Sequence, residues 1–189
     1  SGNRHKMKKE FRISITGDLG SGKSTVADKL AERFKVEHIT LGSIQRAKAA
    51  EFGMDTCQFN KFIEGKPEFD KVFDDYQSAY ESKEGGFIMD SRLGFFFVPS
   101  TFSFYLSVDP RVAAERIVAA QRSNERYKSV EDAMRKIEER RNSERLRFKD
   151  FYKVDILDMS NYDCVIDTTS LTVDEVAEKM IEAYEKSEN

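Results

Sequence analysis

The sequence predicts an α/β fold, a five-stranded parallel sheet with helices on both faces. Three observations predict it. Five short runs of apolar, β-branched or aromatic residues are spread along the 189 residues, with helical patterns between them. The first run passes through a glycine loop straight into an amphipathic helix. Two helical stretches, 42–83 and 111–152, are too long for plain crossovers and read as insertions. Such insertions rise above the carboxyl ends of the strands, where parallel sheets bind ligands.

In chain order, FRISIT at 11–16 is a buried strand ended by Gly17. Residues 23–34 then place Val26, Ala27, Leu30, Ala31 and Phe34 on one helical face. Further strands are expected at 36–40, at 87–89 (entered from Gly85-Gly86 and ending at Asp90), at 104–108 (stopped by Asp109-Pro110) and at 164–167. Residues 173–184 close the chain as an amphipathic helix capped by Thr172. No repeat, low-complexity tract or linker interrupts this pattern. Residues 7–187 therefore read as one domain, with Ser1–Lys6 an appended or disordered tail.

Composition narrows the function. Hydrophobic residues at 39% and charged residues at 34% suit a soluble globular chain. A net charge of −3 argues against a nucleic-acid coat or a polybasic membrane surface. Nine of the 14 arginines nevertheless lie between Arg111 and Arg147, and none follows Val154. A local arginine cluster in an acidic protein points to a specific anionic ligand. Cys57 and Cys164 are too few for a disulfide framework or a zinc site, so they read as reduced thiols of a cytoplasmic protein. No apolar run approaches the roughly 20 residues that span a bilayer, and the amino-terminal segment lacks the apolar core of a secretory signal. The expected partner is a small-molecule nucleotide, with no nucleic acid and no membrane, on a monomer or weak homo-oligomer.

The motif that carries chemistry is G17-D-L-G-S-G22-K23-S24, which matches G-x-x-x-x-G-K-[ST] at every fixed position. Gly17, Gly20 and Gly22 let the backbone curl so that several amides point at phosphate oxygens, with Asp18, Leu19 and Ser21 completing the nucleotide-binding loop. The positive end of the following helix faces the same anion. Lys23 is placed for the β- and γ-phosphates, the Ser24 hydroxyl for Mg²⁺, and Thr25 supports the turn. With its strand and helix context, this is a P-loop NTPase fold binding ATP and Mg²⁺. Lys23→Ala is expected to abolish transfer with little effect on folding.

A P-loop alone does not separate kinases from GTPases or motor ATPases. The chain is small, lacks the N/T-K-x-D type of guanine-reading motif, and carries a helical insertion at 42–83 and an arginine-rich one at 111–152. That layout suits a kinase with an acceptor-binding region and a lid that closes over the phosphates and excludes water.

Several segments carry a closer likeness: the P-loop, L41-G-S-I-Q-R46, G53-M-D-T-C-Q-F59, D90-S-R-L-G94, S143-E-R-L-R-F148 and Y152-K-V-D155-I-L-D158-M-S-N-Y162-D-C-V-I-D167-T. Through them the chain resembles the short, archaeal-type cytidylate kinases of the nucleoside monophosphate kinase group, from about Phe11 to Tyr184. The resemblance implies transfer from ATP to a nucleoside monophosphate, CMP or dCMP first. It further implies that Arg46 and Arg92 hold the acceptor's phosphate, with Ser43 beside them. Arg140 and Arg147 become lid arginines, and catalysis falls to Lys23, Arg92, Arg140 and Arg147. Asp90 holds a water on Mg²⁺ from the end of the third strand, while Asp167 and Thr168 lie near the adenine. Departures cluster on the acceptor side. The family usually has aspartate at the position of Ser43 and glycine at that of Ser91, is less aromatic at Phe95–Phe97, and has a lid arginine near Ala120 that Arg122 replaces here.

Bland readings stand beside these. The arginines of 135–147 also fit a solvated helix laced with ion pairs such as Glu131–Arg135. Phe52, Phe59, Phe62, Phe69 and Phe73 read as helical core, one of them available to stack on an acceptor base. His5 and His38 follow no pattern and receive no role. Two alternatives stay open: a kinase for another small acceptor, such as a sugar or a shikimate-like acid, and a nucleotide-binding module without transfer activity that uses Phe95–Phe97 as a partner surface.

Overall fold

The computed structural model describes residues 10–121 and 127–189, so the tail Ser1–Lys6 and Arg122 lie outside the described residues. Five strands form one sheet: β1 (Arg12–Gly17), β2 (Glu37–Thr40), β3 (Phe87–Asp90), β4 (Phe102–Ser107) and β5 (Cys164–Asp167). They pair in parallel in the order β2-β3-β1-β4-β5. The helices are α1 (Lys23–Phe34), α2 (Leu41–Glu51), α3 (Thr56–Ile63), α4 (Glu68–Ser78), α5 (Gly94–Phe97), α6 (Pro110–Ala120), α7 (Val130–Tyr152) and α8 (Val173–Ser187).

The central strands are buried on both faces, as the continuous apolar runs require. On one face Ile13, Ile15, Ile88, Phe104 and Leu106 pack against Val26, Ala27 and Leu30 of α1 and Val176, Met180 and Tyr184 of α8. On the other, Ile39, Phe87 and Met89 meet Ile44, Tyr80 and Val98. Each fully buried Ile or Leu contributes about 1.5–3 kcal/mol of transfer free energy. The register decides what the carboxyl edge presents. Ile15 and Thr40 both stand opposite Asp90, and Gly17 stands opposite Leu106. Pairing with β1 starts β4 at Phe102, two residues before the expected 104, and includes Asp90 in β3.

The stretch 42–83 folds into α2, α3 and α4 plus a 3-10 turn at Ala79–Ser82. Two capping boxes start the first two helices, Thr40 with Ser43 and Asp55 with Gln58. The expected aromatic core forms there. Phe59 is fully buried and its ring lies 5.7 to 6.4 Å from those of Phe52, Phe69 and Phe73.

The stretch 111–152 contains α6 and the 23-residue α7. Helix α7 is polar along most of its length, with Ala133 and Phe148 its buried residues. It packs along α6, where Ala133 near its amino end is fully buried, and its carboxyl end is anchored separately. Phe148 joins Leu93 and Ile156 in a small core, and the Tyr152 hydroxyl donates to Asp74 of α4 at 2.6 Å. Phe95 and Phe97 pack on Tyr162 and Tyr152, so the aromatic run is mostly internal, with Phe96 40% exposed.

The distinctive segment after α7 is a clamp on that helix. Arg145 donates two bonds to Asp155, at 2.8 and 2.7 Å, and Leu157 adds its amide. The Arg145 bonds, opposed by burial and aided by the amide, hold the Asp155 carboxyl down to about 2. A depressed carboxylate stabilises the fold above its ordinary value of 3.8 and stops doing so as pH falls toward about 2. Asp155→Asn should therefore lower the thermal midpoint at pH 7 by about 2 °C. The gap from wild type should close as pH is lowered from 4 toward 2, and a gap independent of pH would contradict the clamp.

Candidate active site

The glycine loop sits where the sequence places it, between β1 and α1. Gly20 (φ +83°) and Gly22 (φ +81°) take left-handed backbone, which glycine adopts without strain. A Cβ on Gly20 would stand 2.9 Å from the Ala113 carbonyl oxygen, so the loop rests directly on α6. Gly22 is the N-cap of α1 and has no side chain to bond the first turn. Asp18 donates its amide to the Leu106 carbonyl and Ser21 to the Asp18 carbonyl. Among the described residues, the amides of Leu19, Gly20, Gly22, Lys23, Ser24 and Thr25 find no partner within the chain. A helix start left open in this way is a ready anion seat.

The loop forms one wall of a cleft of about 960 Å³. All nine residues from Gly17 to Thr25 line it, together with Arg92, Arg111, Arg135, Arg140, Arg141 and Glu144. Arg140 is exposed on this wall and has no ion pair among the described residues. Arg147 does not line the cleft; its guanidinium lies over the Phe148 ring at 5.2 Å.

Asp90 is the centre of the charge network. Its side chain is 2% exposed. The Lys23 ammonium lies 2.5 Å from Oδ1, the Ser24 hydroxyl donates to Oδ2 at 3.1 Å, and His38 Nε2 lies 2.9 Å from Oδ2. Burial pushes the Asp90 carboxyl up, but the His38 bond and the Lys23 charge outweigh it and hold it below its ordinary range. The other nitrogen of His38 lies 2.6 Å from Asp28 Oδ1. Carboxylates only accept, so both ring nitrogens donate. The Asp90 bond raises the His38 pKa, burial opposes it, and Asp28 adds to the rise. The network also gives Lys23 a structural duty, which corrects the expectation that its loss would have little effect on folding.

The remaining expected residues are scattered around this centre. Arg92 donates to Glu144 of α7 at 2.6 Å and to the Gly17 carbonyl. The Asp18 carboxylate accepts from the Tyr105 hydroxyl and the Val108 amide, with Arg141 at 3.6 Å. Ser43 is turned inward, its hydroxyl accepting from the Thr40 amide and donating to the Thr40 carbonyl. Arg46 is exposed on α2, folded over Gly42, whose added Cβ would lie 3.4 Å from its Nη1. Asp167 accepts from the amide and hydroxyl of Thr169, and Thr168 is buried with its hydroxyl on the Ser107 carbonyl.

Three participants escape a reading of the sequence. His38 is an isolated histidine on an edge strand. Glu144 is one of many carboxylates on α7. Arg116 donates to the carbonyls of Gly20, Thr168 and Thr169, at 3.2, 3.0 and 3.1 Å, and so ties the loop to the turn after β5. The arginine cluster was the available signal for Arg116, but nothing in it marks which member turns inward.

Breaking the buried pair tests this network. Lys23→Met leaves Asp90 short of its closest cation and should cost about 1–3 kcal/mol of unfolding free energy. In a urea double-mutant cycle with Asp90→Asn, the coupling should be about 1 kcal/mol or more. Additive effects would show that the pair does not stabilise the fold.

Comparison with known proteins agrees with this architecture. Residues 12–170 match the model of the cytidylate kinase-like family. The chain is 36% identical over 174 residues to a cytidylate kinase of Methanopyrus kandleri, covering 86% of this chain and 87% of that protein. It is also 36% identical over 178 residues to an S-adenosylmethionine-dependent nucleotide dehydratase of Lacinutrix mariniflava. That match takes in 93% of this chain but spans only 36% of the dehydratase's length. Among solved structures, shikimate kinase from Bacteroides thetaiotaomicron superposes with a TM-score of 0.64 at 17% identity, over 94% of this chain and 99% of that one, which shows the shared P-loop fold. The chain belongs to the cytidylate kinase-like family and is a kinase.

Proposed function

We infer that the chain transfers the γ-phosphoryl group of ATP to a nucleoside monophosphate, with CMP or dCMP as the preferred acceptor. One observation carries the reading. Among the described residues, six loop and helix-start amides without partners stand beside an ammonium and face an arginine without an ion pair across one cleft. That is a charge distribution made for a polyphosphate.

In this reading the amides of the loop seat the β- and γ-phosphates, and Lys23 exchanges Asp90 for phosphate oxygen. Arg140, from the lid 111–152, meets charge developing on the transferred group, and Arg147 joins it as the lid closes. Arg92 turns from Glu144 to the acceptor's phosphate, with Arg46 and the region 42–83 completing the acceptor side. Asp167 and Thr168 border the adenine, in the turn that Arg116 holds against the loop. The attacking oxygen is already anionic, so positioning and electrostatics suffice without a strong base.

Ser24 and Asp90 fit Mg²⁺. One hydroxyl to ligate the ion and one carboxylate to hold a water on it, 3.1 Å apart, suit an ion that keeps several waters and takes its remaining ligands from phosphates. Among the described residues no group of three or more His, Cys, Asp or Glu forms a cage for a metal. When bound, the ion supplies charge neutralisation across the phosphates. The free thiols Cys57 and Cys164 are in keeping with a reducing, cytoplasmic setting.

The relation to a nucleotide dehydratase favours a nucleotide acceptor over a sugar or a shikimate-like acid, with the product passed to further nucleotide chemistry.

ADP release in a coupled assay tests the proposal against CMP, dCMP, UMP, AMP, GMP and shikimate. CMP or dCMP should raise turnover at least about tenfold over the rate without acceptor. If no monophosphate does so, the reading is wrong. Lys23→Ala should lower kcat/KM by about 10²–10³-fold.

A further inference from the structure

The geometry assigns His38 as a positioning residue: it holds the Asp90 carboxylate in place for the cation–nucleotide complex, an inference that rests on the phosphoryl-transfer reading above. Among the described residues Asp90 has three polar partners, Lys23, Ser24 and His38, and two of them have competing work. Lys23 and Ser24 face the cleft and are the groups proposed to engage phosphate and cation. When a nucleotide arrives, both redirect their polar atoms toward it. His38 does not line the cleft and has no such duty. It is the one partner of Asp90 that remains when the site is filled.

The ring is built into the frame from both sides. Parallel pairing sets His38 opposite Ile88 and Thr40 opposite Asp90, so His38 and Asp90 share one face of the sheet, two positions apart. His38 Nε2 reaches Asp90 Oδ2 at 2.9 Å, the same oxygen that takes the Ser24 hydroxyl at 3.1 Å. On the far side, Nδ1 meets Asp28 Oδ1 at 2.6 Å. Asp28 lies one helical turn beyond Ser24 on α1, on the same side of the helix. The chain Ser24–Asp90–His38–Asp28 therefore closes a ring through α1. It sets the distance between the helix start and the end of β3, the two elements that meet the cation. The His38 side chain is only 14% exposed, so few other orientations are open to it.

Partners that orient a metal-binding carboxylate typically alter metal affinity by 10–100-fold when removed. Calorimetry of ATP binding, with Mg²⁺ and with the metal chelated, measures this directly. In His38→Ala the gain in ATP affinity conferred by Mg²⁺ should shrink about tenfold, while affinity for metal-free ATP stays within about twofold. His38→Gln, whose amide nitrogen replaces Nε2 as donor, should recover most of that gain. Asp28→Asn keeps the Asp90 bond and loosens only the ring, and should show a smaller loss of the same sign. It also serves as the readout if His38→Ala fails to fold in a thermal melt.

Equal loss of metal-free and Mg²⁺-loaded binding in His38→Ala would overturn the inference, because it would make His38 a general support of the fold. Failure of His38→Gln to recover any Mg²⁺ effect would do the same. A wild-type chain that takes up no ATP in either condition would overturn the proposed function and this inference together. A wild-type chain that binds normally beside an unaltered His38→Ala overturns the inference alone.

Discussion

A buried carboxylate at the end of β3 is the constraint around which the rest of this structure is arranged. Asp90 stands where β1, β2 and the start of α1 converge, almost wholly out of water. A charge in such a place is expensive unless it is paired and hydrogen-bonded. The fold meets that cost with an ammonium, a hydroxyl and an imidazole contributed by two different elements. Each of those groups is held to a definite position by its duty to Asp90, so the same interaction that makes the charge tolerable also organises the mouth of the cleft. The glycine loop can leave its amides open because its lysine and serine are tethered from beneath.

Helix α7 obeys a different logic. A 23-residue helix with so little buried surface gains little from packing along its length. Its carboxyl end is secured by Phe148, by Tyr152 on Asp74 and by the Arg145–Asp155 fork. Nearer its amino end the helix packs along α6 with Ala133 fully buried, and the stretch beside the glycine loop adds ion pairs, Glu144 on Arg92 and Arg141 near Asp18. Ion pairs at a cleft surface are weak and are readily exchanged for contacts with an anionic ligand. Packing on α6 and at the carboxyl end thus leaves the stretch beside the glycine loop as the part held mainly by exchangeable charges.

The segment at the end of α7, Tyr152 to Tyr162, shows how a string of residues that carries a family resemblance can be structural. Asp155 accepts from Arg145, Asp158 caps a short turn through Ser160, and the Tyr162 hydroxyl donates to the Ile156 carbonyl. These bonds fasten the helix end to β5. The aromatic run at Phe95–Phe97 serves the same junction: Phe95 and Phe97 pack on tyrosines of this segment, and Phe96 lies beside Tyr152 at the surface.

How much was legible depended on the distance along the chain over which each feature is decided. Glycine spacing, the lysine and serine after it, alternating strands and helices, and the cap at Thr172 are decided by neighbours, and all are readable in order from the sequence. That local chemistry determined the fold class and the seat for phosphate. The meetings of His38 with Asp90, Arg92 with Glu144 and Arg116 with Thr168 join residues 52 positions apart. They depend on which strands lie side by side and in what register, and on where α6 and α7 cross the sheet edge. An isolated histidine or one glutamate among many has no local pattern to announce it. Only the tertiary structure decided those pairings, because burial and geometry select a partner for a charge, and neither exists until the sheet has formed.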